Sequence, residues 1–70
     1  MRSFTFDVIV RETASGATRM TEGVNWYRLA MKMVRAGKAT LVENRKEFAG
    51  YGSSYDVGYN RHNLTVTEVV

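Results

Sequence analysis

The residues best suited to nucleophilic or acid–base chemistry lie near the C-terminus: Ser53, Ser54, Asp56 and His62. These are the residue types of a nucleophile, an orienting acid and a general base. No nucleophile-elbow motif surrounds either serine, and a chain of 70 residues seldom forms a cleft that excludes water. We therefore interpret both serines as loop residues and His62 as a turn residue. We expect no catalytic residue and no enzyme activity.

The sequence offers few residues that could bind a metal ion. The sequence holds one His and no Cys, and its carboxylates are scattered rather than grouped at the spacing of metal ligands. The sequence therefore predicts neither a metal site nor a cofactor.

Cations without acidic neighbours dominate the middle third of the chain. Between Gly23 and Val42 there is no Asp or Glu, and the basic residues are Arg28, Lys32, Arg35 and Lys38. On a helix the first three share one stripe, since they are spaced by four and three residues, and Met31 lies beside it. The opposite stripe is apolar and consists of Trp26, Ala30, Met33 and Gly37, flanked by Leu29 and Val34.

This basic stripe has two interpretations. It is a docking surface for phosphates or acidic side chains, or it is a solvated face whose alkyl stems cover apolar surface. We expect Arg28, Lys32, Arg35, Lys38 and Met31 to bind a partner, because a basic helix face without acidic residues four positions away is uncommon.

A second group mixes aromatic and basic residues: Arg45, Lys46, Tyr51, Tyr55 and Arg61. Aromatic rings among cations can stack on bases while the cations hold phosphates, so the group is a candidate for nucleic-acid or partner binding. The alternative is that Tyr55 and Tyr59 share one strand face and pack under the helix.

The elements that position these residues follow from the hydrophobic pattern. Residues 4–10 alternate as a half-buried strand, residues 13–16 form a turn at Gly16, and residues 17–21 return antiparallel with Met20 inward. The helix is predicted over residues 26–36, with Asn25 as the N-cap and Gly37 in the left-handed C-terminal cap position.

Three further strands are predicted after the helix: residues 39–47, residues 55–59 and residues 64–70. A Gly/Ser/Tyr loop at residues 49–54 and a hairpin connection at residues 60–63 would join them. The order ββαβββ predicts a single α+β domain over residues 1–70, with an antiparallel sheet of four to five strands and one amphipathic helix on one face. We also consider that the last strand lies at a sheet edge and pairs with another chain.

Net charge and hydropathy limit the partners. The chain carries +3 from ten basic and seven acidic residues, which is a mild excess. No apolar run has the length of a signal peptide or of a membrane-spanning helix, so we expect a cytoplasmic protein with no membrane partner.

In size, in its lack of cysteine and in its strand at residues 4–10 followed by a basic helix and a β-rich C-terminal half, the chain resembles small phage-encoded anti-defence proteins such as anti-CRISPR proteins. The resemblance implies a non-catalytic inhibitor in the host cytoplasm that covers a surface of a protein or nucleoprotein complex. The alternatives are a direct DNA- or RNA-binding module, a structural protein that assembles by edge-strand pairing, and a homodimer.

Overall fold

A computed structural model describes residues 2–50 and 56–69 of the chain. The elements are β1 (Ser3–Thr13), β2 (Thr18–Glu22), α1 (Val24–Arg35), β3 (Ala39–Gly50) and β4 (Asp56–Glu68). The four strands form one antiparallel sheet in the order β2-β1-β4-β3, and the helix packs on one side of it. The α+β architecture is therefore confirmed, but the order is ββαββ.

The core lies between α1 and the sheet. Its buried members are Phe6, Val8, Ala30, Ala39, Leu64 and Val66, and the half-buried Phe4, Met20, Tyr27, Met33 and Leu41 pack around them. Ala30 has no exposed surface. Because its side chain is a single methyl group, the helix backbone can approach the sheet closely.

The two predicted C-terminal strands are one strand. Asn60 and Asn63, predicted to bound a hairpin connection, instead lie within β4, where Asn60 pairs with Val10 on β1 and with Phe48 on β3. Pairing on both sides satisfies the backbone of this polar segment, and its side chains alternate between the two faces of the sheet. Tertiary pairing therefore overrides the local turn signal.

The prediction that the last strand forms an edge is wrong. β4 lies between β1 and β3, so the edge strands are β2 and β3. Leu64 and Val66 do face the core together, as the alternation predicts. Each central strand buries apolar side chains under the helix, whereas β2 contributes only the half-buried Met20.

The N-cap of the helix is Gly23 rather than Asn25, so the helix begins at Val24. Gly23 has φ 75°, and no side chain caps the first turn. A Cβ on Gly23 would lie 2.3 Å from the backbone oxygen of Asp7, so the chain enters the helix while touching β1. A glycine is required there because both the positive φ and the close approach exclude a side chain.

The predicted C-terminal cap is confirmed. Gly37 has φ 72°, its N–H donates to the Val34 oxygen at 3.0 Å, and the Lys38 N–H donates to the Met33 oxygen at 2.9 Å. This pair of bonds is a Schellman motif, which satisfies two carbonyls at the helix end.

The sheet extends well beyond the helix. The molecule measures 46 × 19 × 15 Å because β3 and β4 are each about 40 Å long while α1 covers only one end. On the uncovered part, the Phe48 ring lies across Gly58, where a Cβ would be 3.1 Å from the ring. We use "open face" for the side of the sheet opposite α1, which carries Thr5, Asp7, Tyr59, Arg61, Asn63 and Thr65.

Candidate functional site

The predicted basic stripe forms an exposed surface on the outer side of α1. Arg28, Lys32 and Arg35 are all exposed, Lys38 is exposed just beyond the helix end, and Met31 is half-buried beside them. We use "basic helix surface" for these five residues. The helix has this orientation because Ala30, about 160° around the axis from Arg28, contacts the sheet.

The basic helix surface is slightly concave. A hollow of about 440 Å³ lies along it and is lined by Tyr27, Arg28, Met31, Lys32 and Arg35. Tyr27 and Met31 supply its half-buried apolar floor, and the three cations form its rim. Such a surface offers a partner both cationic groups and a small apolar contact.

The charge of this surface is not offset locally. The first turn of α1 contains no acidic residue, and Lys32 and Arg35 lie in the last turn, where cations stabilise the helix dipole. Among residues 2–50 and 56–69, the ion pairs are Arg45–Glu47 and His62–Glu43, and neither involves the helix. The positive potential of the surface is therefore directed at solvent or at a partner.

The apolar stripe of the helix is less buried than predicted. Trp26 is 56% exposed and Leu29 is 45% exposed, although the Trp26 ring contacts Phe4 with centroids 5.4 Å apart. Trp26 lies about 40° around the helix from Ala30, at the border of the sheet, so only one face of its ring finds a neighbour. Leu29, about 60° around the axis from Lys32, borders the basic helix surface, whereas Trp26 lies on the opposite side of the helix.

The predicted group of aromatic and basic residues does not lie next to the basic helix surface. Arg61 lies on the open face, as does Arg45, whose guanidinium is 4.0 Å from the Glu47 carboxylate with both side chains more than half exposed. Lys46 pairs with His62 on the helix side of the sheet, beyond the end of the helix. The predictions for Tyr51 and Tyr55 lie outside the described residues.

The open face carries a site that the sequence analysis missed. The Arg11 guanidinium stacks on the Tyr59 ring at 4.6 Å, and Arg19 pairs with Arg11 on the neighbouring strand. The interpretation that Tyr59 packs under the helix is therefore wrong. Alternation alone assigns Arg11 to the face opposite Phe6, but only the pairing of β1 with β4 brings Tyr59 to it.

Side-chain amides, hydroxyls and a carboxylate form a hydrogen-bonded network on the open face, which also carries the buried Ile9 and the exposed Val42. The Asn63 amide donates to Asp7 at 2.7 Å, the Asn44 amide donates to Thr65 at 2.6 Å, and the Thr5 and Thr65 hydroxyls are 2.9 Å apart. These groups satisfy one another across three strands.

His62 lies in β4. The interpretation of His62 as a turn residue is therefore wrong. Its Nδ1 contacts the Glu43 carboxylate across β4 and β3. The pair lies in a groove of about 400 Å³ beside the helix, with Tyr27, Leu41 and Leu64 among its apolar walls. The predictions for Ser53 and Ser54 lie outside the described residues.

The described residues form no group suited to binding a metal ion. Within residues 2–50 and 56–69, no three side chains of His, Cys, Asp or Glu are grouped so that they could hold a metal ion. In the same ranges, no helix is long and apolar enough to cross a membrane.

No protein-family model, curated protein or solved structure matches this chain. A proposal of function therefore rests on the chemistry of the surfaces described above.

Proposed function

We propose that this protein is a non-catalytic binding protein that docks through its basic helix surface on an acidic or phosphate-lined surface of a protein or nucleoprotein complex. The observation that carries the proposal is that Arg28, Lys32 and Arg35 are exposed on one side of a rigid helix, with no carboxylate paired to them in the described part of the chain. Its mode of action would be to cover a surface, as in the small phage-encoded inhibitors that the chain resembles.

Three features of the surface support this function. The helix holds the Cβ atoms of Arg28 and Lys32, and those of Lys32 and Arg35, about 6 Å apart, so the electrostatic fields of neighbouring cations add. The adjacent hollow allows a partner to fit the surface by shape as well as by charge. Tyr27 and Met31 in the floor of the hollow are residue types enriched in protein interfaces, which favours a protein over a bare polyphosphate.

The direct test reverses the charge of the surface. A variant carrying Arg28→Glu, Lys32→Glu and Arg35→Glu should lose partner capture from an extract of the source cells, because each attraction becomes a repulsion. The circular dichroism spectrum should stay unchanged, since these side chains are exposed. If this variant still captures the same partner, the basic helix surface is only a solvated face.

The matched control is Arg19→Glu, Arg45→Glu and Arg61→Glu on the open face. It lowers the net charge by the same amount but leaves the basic helix surface intact. We expect it to retain the partner. If only this control loses binding, the open face is the binding surface and the proposal is wrong.

The second candidate function is direct binding of single-stranded nucleic acid on the open face. The observation that favours it is the stacked Arg11–Tyr59 pair with Arg19, Arg45 and Arg61 on the same face. Phosphate contacts weaken by orders of magnitude between about 50 and 200 mM salt. Fluorescence anisotropy with labelled oligonucleotides over that range distinguishes the two functions, because the first predicts no tight, salt-sensitive oligonucleotide binding.

A further inference from the structure

β3 forms one edge of the sheet, and an edge strand is a template for the pairing of another strand. β3 (Ala39–Gly50) is the last strand in the order β2-β1-β4-β3, and no described residue pairs with its outer side. On an edge strand, alternate residues direct their backbone N–H and C=O groups away from the sheet. Val42 and Phe48, which are 56% and 59% exposed, add apolar surface to this edge.

A β-bulge at Asn44 and Arg45 divides this strand into two halves, and a second register shift follows Phe48 near its end. Leu41 and Glu43 lie on the helix side, opposite Val66 and Leu64, and the pairing shifts before Arg45, which lies opposite Asn63. Asn44 and Arg45 are both on the open face, and the Asn44 amide bonds to Asn63 there. The next helix-side residues, Lys46 and Phe48, are therefore shifted by one position relative to a regular strand.

The bulge selects one register for pairing of β3 with a second copy of itself. Directly opposed residues of two strands must lie on the same face of the sheet. An antiparallel copy meets this condition on both sides of the bulge only when Glu43 faces Lys46 and Leu41 faces Phe48. Other antiparallel registers either place a helix-side residue opposite an open-face residue or, as when Leu41 faces Leu41, pair only one half of the strand.

The opposed side chains in this register are complementary. Glu43 meets Lys46 of the second copy, and Leu41 meets its Phe48, and two-fold symmetry repeats each pair. Glu43 uses Oε1 to contact His62, so its Oε2 remains for the lysine. Charged residues in the middle of an edge strand normally discourage pairing, but here the opposite signs match in a single alignment.

We propose that two copies of this chain associate through antiparallel pairing of their β3 strands about the bulge at Asn44 and Arg45. The product is a continuous eight-stranded sheet with both helices on the same side. The two basic helix surfaces then face in one direction, so the dimer presents two equivalent docking surfaces. The pairing itself does not depend on the proposed function.

Sedimentation velocity of the full chain, up to about 1 mM, tests the association. We expect a monomer–dimer equilibrium in the wild-type protein. Lys46→Glu should raise the dissociation constant at least about tenfold, because it creates two like-charge pairs. The double variant Glu43→Lys with Lys46→Glu should return the constant close to the wild-type value.

Arg28→Glu is the matched control, since it changes the net charge as Lys46→Glu does but lies on the helix. It should leave the dissociation constant unchanged, even where it weakens partner binding. A monomer at every concentration, or a double variant no better than Lys46→Glu alone, would overturn the proposal.

Disulfide formation gives a readout of the register that does not depend on charge. The chain contains no Cys, so the variant Glu43→Cys with Lys46→Cys has only the two introduced thiols. Within one strand the bulge places these positions opposite Leu64 and His62, two residues apart on β4, so they are roughly 7 Å apart, at the upper limit for a disulfide. Directly opposed residues of two hydrogen-bonded strands are about 5.5 Å apart and can be bridged. We expect a covalent dimer under mild oxidation and much less of it with Glu43→Cys alone. Equal yields from both variants would contradict the register.

Discussion

Gly23 has two properties that each disfavour a side chain. It combines a positive φ with a backbone oxygen of Asp7 only 2.3 Å from where its Cβ would stand. Gly16 also has a positive φ, 86°, but a Cβ there would meet nothing within 4 Å. Comparing substitutions at the two glycines therefore distinguishes the cost of backbone strain from the cost of steric overlap.

Gly23→Ala should lower the free energy of unfolding by roughly 3 kcal/mol or more, because left-handed strain and displacement of β1 add together. Gly16→Ala should cost only about 1–2 kcal/mol, since strain acts alone. Urea titration followed by circular dichroism measures both. Equal losses would show that the contact with Asp7 contributes nothing.

The helix is stabilised at its C-terminal end and by its packing rather than by an N-terminal side-chain cap. Asn25 is exposed within the first turn, and no side chain bonds to the free N–H groups there. At the other end, the Schellman motif at Gly37 satisfies the last carbonyls. The ends of α1 therefore differ in how they are stabilised.

Asn25→Ala should change the free energy of unfolding by less than about 0.5 kcal/mol, whereas removal of a true cap costs about 1 kcal/mol. Alanine also favours the helix more than asparagine does, so a slight gain is expected. Thermal denaturation detects either effect. A loss of 1 kcal/mol or more would restore Asn25 as the N-cap.

The molecule as a whole has a covered end and an uncovered end. α1 packs over Phe6, Val8, Leu64 and Val66, while the far half of the sheet relies on strand pairing and on Phe48 over Gly58. Local opening costs less free energy where few apolar contacts are lost. Stability should therefore fall along β4 from its C-terminal half to its N-terminal half.

Amide hydrogen exchange, followed by NMR, measures this gradient within one strand. Gly58, Asn60, Leu64 and Val66 all lie opposite residues of β1, so pairing with that strand is present at both ends of the comparison. The amides of Leu64 and Val66 should exchange at least about tenfold more slowly than those of Gly58 and Asn60. Uniform protection would mean that the sheet opens only with the whole domain.

The sequence alone determined the local features of the helical region and the strand faces. The acid-free run with Arg28, Lys32 and Arg35 defines one helix face, because helical spacing alone brings these residues together. Alternation likewise assigned Phe6, Val8, Leu64 and Val66 to the core. Gly37 was recognisable as a cap because few other residues accept its conformation.

Long-range pairing decided the rest. The polar residues 60–63 read locally as a turn, and only their pairing with both β1 and β3 keeps them in a strand. Asn25 fits the pattern of an N-cap, but the N-cap is Gly23, where the chain contacts β1. The strand order places β4 beside β1, which brings Tyr59 to Arg11. The same order leaves β3 at an edge of the sheet. That order depends on how apolar faces are buried across the whole chain, which neighbouring residues do not encode.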